Sequence, residues 1–250
     1  MKNTLRAALP SYAFLLLLLM VWQVVSVLHL IPGYMLPSPI MVMSALLGDF
    51  PLLLKHLWQT ITEALIGLGL AVVSAFALAI VMDAKALVKS AVLPVLLLTQ
   101  TVPTIALAPL LVLWLGYGLT PKIVLVFLSC FFPMAISILG GFESLDPDMI
   151  RLFQTMGASR IHLYRYLKIP SAMPAFFSGL KIAASYSIIG AVVAEWLGGN
   201  SGLGVYMTRV RKSYSFDKMF AVIVIIAFLS FVLMKLVGKL EKIVIKEEAA

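Results

Sequence analysis

The chain has 250 residues, of which 62% are hydrophobic and 12% are charged. Soluble domains are about 45–50% apolar, so this composition excludes an ordinary water-soluble globular protein. The net charge of +8 would suggest nucleic acid in a soluble protein. Here the bases lie between apolar runs, which is typical of loops on the inner side of a membrane, and we expect no nucleic-acid partner.

Six apolar runs, each near the length that crosses a bilayer, follow one another along the chain. The first, preceded by Lys2 and Arg6, is longer than an ordinary signal-peptide core, and no small-residue cleavage site follows it. We therefore interpret it as a membrane span. The sequence predicts an all-α polytopic membrane protein with six transmembrane helices in one domain, 1–250. The runs cover about 9–30, 57–82, 91–115, 122–139, 175–197 and 219–237.

The distribution of bases predicts the orientation of the chain. With the N-terminus inside, six crossings place both termini in the cytoplasm. Most of the 19 bases, Lys2, Arg6 and Lys246 among them, then lie inside, as the positive-inside rule requires. The cluster in 209–218 is the exception, and we expect it to meet an acidic surface of an external partner or an anionic substrate. The bases left outside are Lys55, Lys122, Arg209, Arg211, Lys212 and Lys218.

The third run is the most irregular, because three prolines interrupt it. Proline kinks a helix and removes a backbone donor, which lipid tolerates only where protein or water satisfies the freed groups. Hydroxyl and amide side chains stand around the central proline. They either bond helix to helix or line a translocation path, and both interpretations stay open. The prolines are Pro94, Pro103 and Pro109, and the polar residues are Thr99, Gln100, Thr101 and Thr104.

The fifth run carries small residues three or four positions apart, at 179, 183, 187, 190, 191 and 194, so they share one helix face. Such a face packs closely on a neighbouring helix, or lines a pore near a dimer axis, which we favour. Two acids mark outer ends of runs: Glu63, near Lys55 or His56, and Glu195. An acid such as Glu195 serves more often as a structural anchor than as a substrate contact. The candidate path residues are Gln100, Thr101, Thr104, Ser185 and Glu195.

Between the fourth and fifth runs lies the longest polar interruption, 145–174. Asp146 and Pro147 suit the N-cap and first position of a helix, and Gly157-Ala158-Ser159 forms a small-residue turn that another backbone can approach. A second helical run, Arg160 to Leu167, is expected to end at Pro170 and Pro174. This helix–turn–helix pattern predicts a docking loop for a cytoplasmic partner.

Residues within this loop resemble the "EAA" loop of binding-protein-dependent ABC importer permeases. The family pattern is Glu-Ala-Ala, three residues, Gly, nine residues, then Ile-x-Leu-Pro. Gly157 and the run Leu167-Lys168-Ile169-Pro170 match its later part, whereas Arg151-Leu152-Phe153 replaces Glu-Ala-Ala. The resemblance assigns docking of the ATPase to Thr155, Met156, Gly157, Ala158, Ser159, Arg160 and Pro170.

Further motifs in order along the chain resemble one branch of that family, which imports sulfonates, taurine, nitrate and thiamine precursors. They are Leu36-Pro37-Ser38-Pro39, Thr101-Val102-Pro103, Ala108-Pro109-Leu110, Trp114-Leu115-Gly116, Ala194-Glu195 and Gly202-Leu203-Gly204. The resemblance implies a type I importer permease fold in a bacterial inner membrane. The implied partners are cytoplasmic ABC ATPase subunits, an extracytoplasmic substrate-binding protein and a second copy of this chain.

The likeness around Glu195-Trp196-Leu197-Gly198 favours a thiamine-precursor pyrimidine or related heterocycle as solute. Sulfonate or taurine, and then nitrate, are the alternatives.

No catalytic constellation, nucleotide-binding loop or metal motif is present in the sequence. The histidines His29, His56 and His162 stand on different segments, and the single cysteine, Cys130, allows neither a disulfide nor a cysteine metal site. We therefore expect a transport subunit without cofactor, driven by a separate ATPase. The rival classes are an intramembrane enzyme and a membrane scaffold.

Overall fold

The structure is a computed structural model that describes the backbone of residues 2–248 and the side chains of residues 10 and 13–245. Lys2, Arg6 and Lys246, which the topology prediction uses, lie outside the described side chains. The regular secondary structure of the described part is entirely helical. Its elements are α1 (Lys2–Val27), α2 (Pro39–Gly48), α3 (Phe50–Ala84), α4 (Ala86–Thr99), α5 (Thr104–Leu115), α6 (Thr120–Glu143), α7 (Pro147–Thr155), α8 (Arg160–Leu163), a π-helical turn (Tyr164–Lys168), α9 (Ile169–Glu195), α10 (Leu203–Lys212) and α11 (Phe216–Glu248).

Four of the described helices are long and apolar enough to cross a bilayer: α3, α6, the continuous helix Arg160–Glu195, and Phe216–Ile245 of α11. The pair α4 and α5 forms a fifth crossing or a re-entrant loop, bent by 100° at its break. In α1, the stretch Ala13–Val27 is a shorter apolar helix. The prediction of an all-helical polytopic membrane fold is confirmed.

The core of the bundle is formed where α3, α6 and α9 pack together, and small residues set how closely they approach. A Cβ on Gly67 of α3 would lie 2.5 Å from Val126, and one on Gly179 of α9 would lie 2.7 Å from Ser137. Ala183, Ser187 and Ala191 of α9 are fully buried. The small-residue face of α9 therefore packs within the chain, which corrects our preference for a pore lining there.

The two prolines that were expected to end the helix after Leu167 lie inside a continuous helix instead. Helix α8, the π-helical turn and α9 form one helix of 36 residues, Arg160–Glu195. Pro170 lies inside this continuous helix, two residues after the π-helical turn, and Pro174 lies one turn further on. Just before them, the N–H of Ile169 bonds five residues back to Tyr164, so the chain stays helical through a wider turn.

Candidate functional site

The docking loop forms an exposed turn between two short helices. Asp146 caps α7 by accepting from the N–H of Asp148 at 2.9 Å, and the N–H of Ala158 returns to the carbonyl of Phe153 at 3.0 Å. Gly157 has φ +78°, and no atom lies within 4 Å of a Cβ placed there. The turn thus requires glycine for its backbone conformation and leaves open space over it.

Exposed apolar side chains occur in this turn and in the helix that follows it. Met156 and Ile161 are each 76% exposed and Tyr166 is 62% exposed. Exposed apolar residues grouped on a loop typically mark a protein–protein contact. Of the predicted docking residues, 155–160 form the turn and the start of α8, whereas Pro170 is half-buried in α9.

The docking loop is fastened to the bundle by a contact that sequence reasoning missed. Asp83, near the end of α3, accepts from Lys168 Nζ at 2.5 Å and from the hydroxyl of Tyr164. The side chains of Lys168 and Asp83 are only 13% and 11% exposed. An acid just before a basic link was the available signal, but its partner lies 85 residues away.

A cavity of about 570 Å³ opens beside the break between α4 and α5. Gln100 and Thr104 belong to its wall. Thr101 is exposed and donates to the carbonyl of Leu98, and Ser185 donates to the carbonyl of Lys181; neither is in the wall. The wall is formed by Thr99, Gln100, Val102, Pro103, Thr104, Ile105, Leu128, Ser129, Phe132, Pro133, Ile182, Tyr186, Ile189, Gly190 and Val193.

The cavity wall has a clear chemical character. Its polar groups are amide and hydroxyl, from Gln100, Thr104 and Tyr186 among others, and its aromatic rings are Phe132 and Tyr186. None of the described residues that line it is charged. The volume lies in the range of small-molecule pockets. Such a wall offers aromatic rings for stacking and neutral groups for hydrogen bonds, but no cation to compensate a buried anion.

Glu195 lies at the other end of α9 from the docking turn, where it holds a loop. It is 1% exposed and accepts from Thr60 Oγ1 at 2.7 Å and from the N–H of Gly204 at 2.6 Å. Thr60 in turn accepts from the N–H of Leu203 at 2.9 Å. Both carboxylate oxygens are occupied by these bonds, and Glu195 is not part of the cavity wall.

We call the arrangement of Glu195, Thr60, His56 and residues 202–204 the outer clamp. Two glycines make its close contacts sterically possible. Gly202 has φ +127°, and a Cβ there would lie 2.1 Å from the Glu195 carboxylate. Its N–H donates to His56 Nδ1 at 2.9 Å. A Cβ on Gly204 would lie 2.2 Å from the carbonyl of Val192. Residues 202–204 can therefore approach Glu195 closely because Gly202 and Gly204 carry no side chain.

A buried ion pair supports the same end of the bundle. Lys122 of α6 contacts Glu63 of α3 at 2.8 Å, with side chains 6% and 0% exposed, and Gln59 donates to the same carboxylate oxygen at 2.8 Å. The sequence placed Glu63 only near Lys55 or His56, whereas the packing of α3 on α6 brings Lys122 to it. Neither the pairing nor its burial was visible in the sequence.

Comparison with known proteins agrees with this architecture. Residues 67–246 match the family described as binding-protein-dependent transport system inner membrane component. The formylaminopyrimidine transport permease protein ThiX of Halalkalibacterium halodurans is 37% identical over 246 residues, covering 98% of each chain. The taurine transport system permease protein TauC of Escherichia coli is 33% identical over 230 residues, covering 89% of this chain and 84% of its own.

A solved structure has the same fold. The MetNI methionine ABC transporter, in an inward-facing conformation, matches with a TM-score of 0.70 at 17% identity, over 79% of this chain and 98% of the matched one. The family match and the two relatives show that this is a multi-pass transport subunit, and that ATP hydrolysis belongs to a separate chain. The chain thus belongs to the inner-membrane permease family of binding-protein-dependent ABC importers, in the branch that includes the thiamine-precursor and taurine permeases.

Proposed function

We propose that two copies of this chain form the path for a small, uncharged heterocyclic solute, with a formylaminopyrimidine-type thiamine precursor as the first candidate. Cytoplasmic ABC ATPase subunits bind the turn 155–160, and an extracytoplasmic binding protein delivers the solute. Both termini lie in the cytoplasm. The observation that carries this proposal is the uncharged cavity at the broken α4–α5 segment, which one continuous helix joins to the docking turn.

The continuous helix supplies the mechanical connection. Its 36 residues, Arg160–Glu195, span about 54 Å at 1.5 Å per residue. Its first turn follows the docking turn, and its middle places Ile182, Tyr186 and Ile189 in the cavity wall. Closure of the ATPases displaces the docking turn, and the helix carries this displacement to the cavity and onward to Glu195. Alternating access to the cavity follows from that movement.

The surroundings of the cavity favour a second copy as its cover. Leu98, Val102 and Ile105 beside the break are 66%, 42% and 50% exposed, and Leu98 and Val102 flank the polar residues Gln100 and Thr101. A cover of protein suits this cavity better than one of lipid, because lipid leaves the amide and hydroxyl groups of its wall unsatisfied. Two such half-sites around an axis enclose one path, with Gln100, Thr101 and Thr104 facing Ser185 or their copies.

The absence of charge among the described wall residues separates the substrate candidates. Sulfonate, taurine and nitrate each carry an anionic group, which a path normally compensates with a cation or several N–H donors. A pyrimidine requires a stacking surface and amide or hydroxyl partners, which Tyr186, Phe132 and Gln100 provide. The relative named for formylaminopyrimidine supports the same choice.

Transport into proteoliposomes tests the proposal. The permease is reconstituted with its ATPase and binding protein, and uptake of labelled formylaminopyrimidine, taurine and nitrate is compared with and without ATP. We expect ATP-dependent uptake of the pyrimidine only. Uptake of taurine or nitrate would support the assignment as an importer permease but contradict the proposed solute. No ATP-dependent uptake of any solute, with no ATPase co-purifying, would favour a membrane scaffold or intramembrane enzyme.

A further inference from the structure

The end of α10 presents a group of cations that the proposed path does not use. Arg209, Arg211 and Lys212 stand in its last turn and are exposed. Arg209 donates to the carbonyl of Asn200 at 3.0 Å. Among the described acids, none forms an ion pair with these three residues, and nearby Asp49 is already bound by Lys218 at 2.8 Å. We call the segment Arg209–Ser215 the outer basic corner.

The outer basic corner has a defined conformation. Its turn is closed by bonds from the N–H of Tyr214 to the carbonyl of Arg211 at 3.2 Å and from Ser215 to Val210 at 3.0 Å. Tyr214 adopts φ +57°, which is uncommon for a bulky residue, and its ring remains 75% exposed. An exposed tyrosine beside cations in a fixed turn has the composition of a protein–protein contact.

Both ends of α10 are tied to the bundle. At its start, residues 202–204 are bound by the outer clamp. Along it, Tyr206 donates to Asp49 at 2.5 Å, and Lys218 beyond its end contacts the same carboxylate. The outer basic corner is therefore a rigid surface connected through Glu195 to α9.

The position of the corner places it on the side opposite the docking turn. His56, which binds the loop before α10, lies near the start of α3, and Asp83, which binds the docking loop, lies near its end. His56 and Asp83 are 27 residues apart on α3, which separates the two contacts by about 40 Å at 1.5 Å per residue. Cytoplasmic docking at one end leaves the outer basic corner facing the exterior.

Two other occupants fit less well. A helix that binds anionic lipid inserts an apolar face beside its cations, but the apolar face of α10, with Leu203, Tyr206 and Val210, is buried inside the bundle. An anionic solute would need the cations in its path, but none of the three lines the cavity.

We propose that the outer basic corner is the docking surface for an acidic patch on the extracytoplasmic binding protein. This inference rests on the proposed function and adds to it the permease surface that the binding protein recognises. Opposite charges on the two surfaces speed and orient the encounter. Because α10 is held by Glu195 at the end of α9, contact at the corner is transmitted to the cavity and the docking turn.

The test measures how much binding protein half-saturates ATP hydrolysis by the reconstituted complex. In the double variant R211E/K212E we expect this concentration to rise roughly tenfold or more at low salt, and to fall rather than rise as salt is added. The variant R211K/K212R keeps both charges and should match the wild type. Thermal melting of the purified permease should agree among all three. Acid-to-lysine changes in the binding protein should lower the half-saturating concentration of R211E/K212E again.

Each other outcome overturns the inference. An unchanged half-saturating concentration with unchanged salt dependence would show that the corner does not dock the binding protein. A defect that requires anionic phosphatidylglycerol and disappears in phosphatidylcholine vesicles would assign the cations to lipid. A defect that persists at saturating binding protein would assign them to the solute. If the wild-type complex is not stimulated by any binding protein, the proposed function itself fails.

Discussion

The two ends of this molecule use glycine in opposite ways. At the docking turn, Gly157 has φ +78° with no atom near a Cβ position, and exposed apolar side chains occur there and in the helix that follows. At the outer clamp, Gly202 has φ +127° with the Glu195 carboxylate 2.1 Å from a Cβ position. Gly157 has open space beside it that a partner can occupy, whereas at Gly202 the Glu195 carboxylate occupies the position of a side chain. The inner glycine therefore belongs to an exposed surface, whereas the outer glycine lets a loop be held rigidly against the bundle.

The largest expected loss of stability comes from removing one partner of the buried ion pair at the outer end. Lys122→Met leaves the Glu63 carboxylate buried without its cation, and we expect a loss of about 3–5 kcal/mol in stability. The double variant Lys122→Met/Glu63→Leu removes both charges and should recover most of that loss. Thermal melting in detergent measures both. A single variant as stable as the wild type would show that the pair is not formed.

The next largest effect is expected when a side chain is added to a glycine of the outer clamp. Gly202→Ala places a methyl group against Glu195 and strains a positive φ, so we expect a loss of about 3 kcal/mol, seen as a lower melting temperature. Gly48→Ala is the matched control, because no atom lies within 4 Å of a Cβ there. Equal melting of the two variants would contradict the close approach of Gly202 to Glu195.

At the inner end the expected effect is mainly on coupling. Gly157→Trp strains a positive φ and should lower the melting temperature modestly, but it should also reduce ATP-driven uptake roughly tenfold or more, because a bulky side chain blocks a contact surface. Gly116→Trp is the matched control, since Gly116 has φ +77° and equally open space in another loop. Normal transport by Gly157→Trp would show that the ATPase binds elsewhere.

The smallest expected effect concerns acid pH. Hydrogen bonds from Lys218 and then Tyr206 lower the pKa of Asp49 from its usual value. A lowered folded-state pKa stabilises the protein above the unfolded pKa, about 3.9, and this stability is lost as the pH falls through the folded value. We expect Asp49→Asn to remove less than about 1 kcal/mol at pH 7 and nothing below both pKa values. An equal loss of stability at pH 7 and at a pH below both pKa values would contradict a lowered pKa for Asp49.

The sequence predicted the inner end better than the outer end for a physical reason. The docking turn is local: Asp146, Pro147 and Gly157 determine its caps and turn within a dozen residues, and a family resemblance covers the same stretch. The outer clamp joins groups far apart in sequence, since Thr60 and Glu195 are separated by 135 residues. Such contacts depend on how α3, α6 and α9 pack, which hydrophobic patterns do not specify.

The broken α4–α5 segment and the faces of α9 differ in how far their sequences reveal their surroundings. The prolines and polar residues near 100 predicted an irregular, polar break, and the structure bends there by 100°. The spacing of small residues on α9 identified one helix face, but we favoured it as a pore lining, whereas most of it packs inside the chain. The opposite face, with Ile182, Tyr186 and Ile189, lies at the cavity, and its large side chains gave no signal of that role.

Thiol labelling of the cavity wall tests the central claim most directly. The only native cysteine, Cys130, is fully buried, so an introduced cysteine can be followed alone. Gln100→Cys and Tyr186→Cys should react with a small hydrophilic maleimide, and both the solute and ATP should change the rate. Ser187→Cys, one residue along α9 but fully buried, should stay inert. Wall cysteines as inert as Ser187→Cys, or reaction at a rate that neither solute nor ATP alters, would contradict a solute path at this cavity.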